Sequence, residues 1–309
     1  VLVKDESMGK IYKLSNPKDA ADLFAGWQET LIDSCLQGVM GEIYAASSRS
    51  AMAMLGDFCF LAGEPDAELV AYKPEECDKD FMIMVPQDSS RREPMGNRIL
   101  PDPPQKLSWE KLIRQIYGDK ARQVTRYAIK KEEHIWDLDR LREALAGLPP
   151  EYTLRLIDKE LYRKCMENDW SRDLVAQYRD YEQYRKLGLG AAILQGQEIV
   201  AGASSYSSYE GGIEIEIDTR KDHRRKGLAY ICGARLILEC CSRGLYPSWD
   251  AQNLQSVALA EKLGYHFDHA YTAYEIWGYG SGCQRTGKAG YLDGKKSGEV
   301  DKYEKGTIL

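Results

Sequence analysis

Gly212-Ile-Glu-Ile-Glu-Ile-Asp-Thr219, followed by Arg220-Lys-Asp-His-Arg-Arg-Lys-Gly-Leu-Ala229 and an apolar run that stops at Arg243-Gly244, is the stretch whose reading decides the fold. Alternation over 213–218 puts the β-branched Ile residues on one face and predicts a strand. The run from Leu228 to Cys241 is apolar on nearly every side, which predicts a buried helix capped at Gly244. The segment therefore reads as strand, tight basic loop, helix.

The first amides of a helix entered through such a loop lack partners and converge on one spot, where the helix dipole also favours negative charge. Gly227 and Ala229 leave room for a diphosphate at the main chain, and Arg220, Lys221, Arg224, Arg225 and Lys226 supply counter-charge. The same residues would also serve an ordinary solvated loop with a basic rim, and spacing alone leaves both readings open.

Arg224-x-x-Gly227-x-Ala229 after a strand resembles the Arg/Gln-x-x-Gly-x-Gly/Ala signature of the GNAT superfamily of acyl-CoA-dependent N-acyltransferases. Downstream, Trp249-Asp250-Ala251-x-Asn253-x-x-Ser256-x-x-Leu259-Ala260-x-Lys262-Leu263-Gly264-Tyr265 looks like the strand and helix that follow in that fold. The wording Asp218-Thr219, Gly227-Leu228-Ala229 and Trp249-Asp250-Ala251 is similar to the zwittermicin A resistance type of acetyltransferase. The resemblance implies an acetyl-CoA site. Ile217, Asp218 and Thr219 would border pantetheine, and Arg224, Arg225, Lys226, Gly227, Leu228 and Ala229 would hold the diphosphate. Asn253 and Ser256 would be further cofactor contacts, although each suits a helix cap equally well.

Outward from this stretch, Glu151–Ile157 reads as a strand, Lys159–Glu167 and Ser171–Leu187 as helices, and Ala191–Leu194, Glu198–Ser207 and Ile213–Thr219 as an antiparallel meander. After the long helix come a strand at Tyr246–Trp249, a helix at Asn253–Leu263 and a closing strand at His266–Trp277. The order is that of an α+β GNAT fold, a mixed, mostly antiparallel sheet flanked by helices, over 151–277. Pro149-Pro150 marks the boundary to an α/β domain over 1–150. There, Lys18–Leu36 reads as one amphipathic helix, Gly41–Ser48 and Ala51–Ala62 as a strand pair, Phe81–Val85 as a buried strand, Ser108–Tyr117 as a capped helix and Arg122–Lys131 as a strand. This order echoes the second half, so the first half is either a degenerate GNAT-like copy that shapes the substrate site or an unrelated α/β domain. Pro86–Lys106, rich in Pro, Arg and Asp, reads as a mobile loop, and the Gly-, Lys- and Ser-rich tail over 278–309 as peripheral.

The 309 residues, 43% hydrophobic, suffice for two cores. A net charge of -6 excludes a general nucleic-acid surface and makes the basic loop a local feature. No apolar run has transmembrane length, and the expectation is a soluble cytoplasmic protein. The eight cysteines form no Cys-x-x-Cys pair and read as reduced core residues, and His266-x-x-His269 on a strand would face opposite ways, so no metal site is expected.

Acyl transfer to an amine needs a fixed thioester, a neutral amine and stabilised charge at the carbonyl oxygen and leaving sulfur. In the superfamily the base comes from a carboxylate on the strand before the loop. Here Glu214, Glu216 and Asp218 share a face, with Glu216 the first candidate base and Glu214 the second; three acids alternating with Ile would equally make a plain solvated face. Many members also carry a Tyr four residues after the Ser of the second motif, and here that place is Ala260, which leaves the acid role to water, Tyr271 or Tyr274. Carboxylates such as Glu210, Glu214 and Asp250 around the cleft suit a small cationic amine, an aminated antibiotic or metabolite, bound between the halves. Two other functions fit parts of the pattern: an acyl-CoA sensor without chemistry, and another nucleotide-phosphate binder. The second lacks a Gly-x-x-x-x-Gly-Lys-Ser/Thr loop.

Overall fold

A computed structural model describes residues 11–75, 77, 79–87 and 107–280. The first half contributes β1 (Tyr12–Lys13), α1 (Thr30–Gln37), β2 (Glu42–Ser47), β3 (Ser50–Leu55), β4 (Phe58–Gly63), α2 (Ala67–Ala71), β5 (Phe81–Pro86), α3 (Trp109–Tyr117), β6 (Ala121–Ile129) and α4 (Leu138–Ala146). The second half runs β7 (Tyr152–Leu156), α5 (Lys159–Glu167), α6 (Tyr181–Leu187), β8 (Gly190–Gln195), β9 (Glu198–Tyr209), β10 (Gly212–Thr219), α7 (Leu228–Ser242), β11 (Tyr246–Ser248), β12 (Asp250–Ala251), α8 (Leu254–Leu263) and β13 (Phe267–Trp277).

Two sheets result. The eight-stranded one runs β1-β2-β3-β4-β5-β13-β6-β12, and the five-stranded one runs β11-β10-β9-β8-β7. Each contains an antiparallel meander whose last strand pairs in parallel with the strand after a helix: β4 with β5, and β10 with β11. This repeat identifies the first half as a GNAT-like copy of the second. The closing strand β13, expected to complete the second half, instead lies between β5 and β6, and β12 pairs with the far end of β6. The antiparallel ribbon β6–β13 is thus shared, its two edges belonging to different repeats.

The halves also share a core. One cluster joins Phe24, Ile32 and Phe60 from the first half to Leu161, Tyr184 and Leu194 from the second. Another packs the apolar α7 against Ile213, Ile215 and Ile217 of β10. A tight contact links the repeats at Gly56, where φ is +58° and a Cβ would fall 2.2 Å from the Tyr206 hydroxyl, so only glycine fits.

Several local expectations change. The helix predicted over 18–36 breaks at Gly26 (φ +84°) into a 3-10 turn at Pro17–Phe24 and α1. The apolar run 51–62 is two strands turned at Gly56-Asp57, because both faces are buried and alternation gives no boundary. The helix predicted over 171–187 starts only at α6, where Asp180 accepts a bond from the Gln183 amide as a cap. Ser108 caps α3 as read. The segment 88–106 and residues from 281 onward lie outside the described residues; Tyr279, within the tail expected to be peripheral, is instead buried and donates from its hydroxyl to the Tyr72 carbonyl. Among the described cysteines none is bonded to another, and burial pushes the Cys35 and Cys165 thiols up to about 12. His266 and His269 bond different carboxylates, Glu132 and Asp268. Among the described residues no helix is long and apolar enough to cross a membrane.

Candidate active site

β10 and β11 stay paired only from Gly212↔Tyr246 to Glu214↔Ser248. Beyond Ser248 the chain leaves this sheet, and Asp250 and Ala251 pair with Ala128 and Tyr127 of β6 in the other. Residues 215–219 therefore keep β9 on one edge and have no strand partner on the other, so a V-shaped gap opens between the sheets. Two spaces lie along β10, a chamber beside the basic loop at its end and a cleft between the two repeats beside Glu214.

The chamber is bounded by Thr219, Arg224, Arg225, Gly227, Leu228 and Ala229, with His223, Tyr230, Ala258, Leu259 and Lys262 completing it. Gly227 has φ +79° and begins α7, and a Cβ placed on it would meet nothing within 4 Å. That is open space at a helix N-terminus, where an anion satisfies converging amides. Arg225 holds a left-handed conformation (φ +62°), which turns the chain into the helix. Arg224 Nε donates to the Thr219 carbonyl (3.2 Å), and His223 Nε2 bonds Gln195 Oε1 (2.9 Å), tying the loop to the end of β8. Thr219 is 3% exposed and its hydroxyl has no partner. The residues present thus fit a diphosphate in size, charge and unsatisfied donors. Lys226 is exposed beside the chamber, and Ile217 is buried against α7. Asp218 accepts from the Thr219 amide and is pushed up to about 7, chiefly by burial.

Asn253 and Ser256 have roles inside the fold: Asn253 Oδ1 accepts from the Ser256 amide as the cap of α8, and Trp249 Nε1 donates to Ser256 Oγ (3.0 Å). Neither borders the chamber, whose α8 wall is Ala258, Leu259 and Lys262.

The cleft encloses about 660 Å³, solvent mouth included, and Glu214 and Glu216 both line it. Glu214 is only 6% exposed. Its Oε2 accepts from the Thr30 hydroxyl, and its Oε1 has no partner. Burial pushes the Glu214 carboxyl up to about 7, with Asp250 adding to the rise and Lys131, Thr30 and Arg126 opposing it. Glu216 is half-buried. Opposite, Arg126 is held by Asp250 (2.6 Å) and lies 4.8 Å from the centre of the Phe58 ring, while the Tyr271 hydroxyl donates to Asp250 Oδ2 (2.7 Å). Of the two tyrosines considered for the acid role, Tyr271 borders the cleft; Tyr274 is buried in the core beneath α3. Glu210 is an exposed turn residue away from the cleft lining.

Sequence reasoning did not find Thr30, Arg126, Lys131, Tyr206 or His269, all of which line the cleft. Tyr206 carried one local signal, a long antiparallel pairing with room for a bulge. It is the extra residue where β9 slips against Glu214/Ile215, and the slip swings its ring into the cleft. The others come from four separate elements and leave no local trace.

A splayed parallel pair, a left-handed glycine opening a long helix, and a carboxylate in the adjoining cleft define the GNAT fold, here in tandem. The GNAT acetyltransferase family model matches residues 21–102 and 97–274, and the chain belongs to this family. It is similar to a GCN5-related N-acetyltransferase-like protein of Streptococcus suis, with 45% identity and a TM-score of 0.73 over 85% of this chain and 98% of that one. It is 28% identical over 173 residues to the uncharacterized N-acetyltransferase YdfB of Bacillus subtilis, a match spanning 54% of this chain and 62% of that relative's length. A Drosophila protein shares the fold at 11% identity, with a TM-score of 0.54 over 87% of this chain and 99% of that one.

Proposed function

We propose that this chain moves an acetyl group from acetyl-CoA to a primary amine of a small cationic acceptor, with Glu214 as the base. The observation that carries the reading is the unpartnered Oε1 of a buried Glu214, pushed up to about 7, in a cleft that is also lined by Ile215 and Glu216 of β10 and by Trp249 and Asp250, where the chain leaves that sheet. A carboxyl in that range is ionised often enough at neutral pH to take a proton yet basic enough to remove one from an ammonium.

Bound acetyl-CoA supplies an activated acyl group as a thioester. Gly227, Leu228, Ala229, Arg224, Arg225 and Lys226 would hold its diphosphate, and Ile217, Asp218 and Thr219 would border its pantetheine arm. Glu214 removes a proton from the acceptor, Glu216 sits beside it as a second carboxylate for the cation, and the acceptor nitrogen forms the new bond to the acyl carbon as the bond to sulfur breaks. With Ala260 fully buried and inert, and the Tyr271 hydroxyl donating to Asp250 and pushed well above its ordinary range by burial, the second proton lost by the acceptor nitrogen reaches the leaving sulfur through water. The carboxylates lining the cleft, Glu29, Glu214, Glu216 and Asp250, outnumber its Lys and Arg side chains, Arg126, paired with Asp250, and Lys131, which donates to the Gln28 carbonyl. That balance supports a cation. An aminated polyol, the acceptor type implied by the zwittermicin-like wording, would also meet hydrogen-bonding partners in Thr30 and Tyr271.

The test follows CoA release with polyamines, aminoglycosides, amino acids and basic peptides. Turnover of small amines supports the reading, and turnover confined to peptides overturns the acceptor class. Tight acetyl-CoA binding with no acceptor consumed would assign the chain to a non-catalytic acyl-CoA sensor, the role that the buried Ala260 favours.

A further inference from the structure

The loop chamber carries more positive charge than the loop itself supplies. Across it from Gly227, Lys262 of α8 reaches over the Tyr230 ring, its Nζ 4.6 Å from the ring centre. Elsewhere in the second half arginines are paired with carboxylates: Arg220 with Asp222, and Arg235 and Arg243 with Glu239. Among the described residues, Lys262 and Arg225 have no such partner. The unpartnered hydroxyl of Thr219, 3% exposed, lies on the same wall as the loop. Unsatisfied donors and unneutralised cations therefore face each other across one space, which points to an anionic ligand with more than one charged group.

The arrangement separates those groups. The amides at the start of α7 and Arg224 belong to the loop side, where a diphosphate is satisfied. Lys262 belongs to a different helix. α8 begins at Asn253, next to the strand that peels away from β10, and ends beside the loop. Its ten residues cover about 15 Å, and Ala258, Leu259 and Lys262, toward its C-terminal end, are the ones that line the chamber. A cation there, held over an aromatic face and supplied by a second helix, can meet an anion beside the one at the start of α7.

We propose that Lys262 reads the 3′-phosphate of CoA, so that this chain prefers CoA to dephospho-CoA. The inference rests on the cofactor reading above and adds a subsite to it. The 3′-phosphate is a monoester with a second ionisation near pH 6, so it brings close to two charges at neutral pH.

The experiment is calorimetric titration of the full chain with CoA and with dephospho-CoA, which keeps the diphosphate and adenine and lacks only the 3′-phosphate. The native protein should bind CoA about tenfold more tightly, the scale of one charge-assisted contact at a part-exposed site. Lys262→Met, which keeps the apolar stem over Tyr230, should lose that margin while its dephospho-CoA affinity stays within about twofold of the native value. In the native protein the margin should also narrow as pH falls below about 6, when the phosphate takes up a proton. Equal native affinity for the two ligands overturns the subsite and leaves the cofactor reading standing. So does an equal loss for both ligands in Lys262→Met, which would place Lys262 on the diphosphate, the adenine or the fold. Binding of neither ligand overturns both readings.

Discussion

The same chain builds the same topology twice and leaves only one copy open. In the first half, β4 pairs with β5 from Phe58↔Ile83 to Leu61↔Pro86, the Gln87 amide extends the pairing to the Leu61 carbonyl, and the Gln87 side chain accepts from the Gly63 amide. In the second, the equivalent pair stops at Glu214↔Ser248 and splays. The helices differ as well. After β10 comes a basic loop, Gly227 in a left-handed turn, and a 15-residue helix with free first amides. After β4 comes Glu64-Pro65-Asp66, where Asp66 itself accepts from the Leu69 amide, and a helix of five residues. A carboxylate already occupying the helix start repels a phosphate for the reason the open loop attracts one. The difference teaches that the fold alone does not make the site. Splaying requires a strand that leaves for another sheet, and anion binding requires a helix start with no internal cap.

Stoichiometry is the all-or-none test of this comparison: titration should give one CoA per chain, and a second site of similar affinity would break it. Glu214→Gln should lower kcat by about 10²–10⁴, the usual range for losing a general base, with CoA affinity unchanged. An equal loss in CoA binding would move Glu214 out of the base role. Gly227→Val should weaken CoA about 100-fold or more through lost amide–phosphate bonds at roughly 1.5–3 kcal/mol each. A Cβ there meets nothing, but the left-handed φ of +79° strains a β-branched side chain, so CD and Tm establish that the variant is folded, and unchanged affinity in the folded variant would sink the loop assignment.

The pH dependence sharpens the same point with a smaller effect. The folded Glu214 carboxyl titrates near 7, above its ordinary 4.5, and only its deprotonated form accepts a proton. kcat/KM should therefore rise about tenfold per unit up to pH 7 and level off above it. In Glu214→Gln that limb should vanish; its persistence would point to another group, with Asp218, also near 7, the next to replace. The smallest effect is at Arg225. Replacing it with Gly relieves a left-handed side chain worth about 1 kcal/mol, partly offset by the freer unfolded chain, so Tm should rise by no more than about 2 °C. CoA affinity should fall at the same time, and a drop in Tm would show that the Arg225 side chain supports the fold.

The sequence by itself determined what lies within one or two elements. Alternating Ile and Glu, then a basic loop with Gly227, then an apolar run dictate strand, tight loop and buried helix, because each depends on residues only a few positions apart. Asn253 and Gly264 bound α8 for the same reason, and the echo between halves was legible as an order of elements. Tertiary structure alone decided which strand went where. β13 inserts between β5 and β6 because both its edges find partners there, and no local pattern records a pairing between residues some 150 positions apart, as between Ala273 and Val124. That exchange pulls Asp250 toward β6, opens β10, and brings Thr30, Arg126, Lys131 and Tyr206 around Glu214. The carboxylate was readable as one of three on a strand face. Its burial, and with it the shift toward neutral pH, arises from residues contributed by the other repeat.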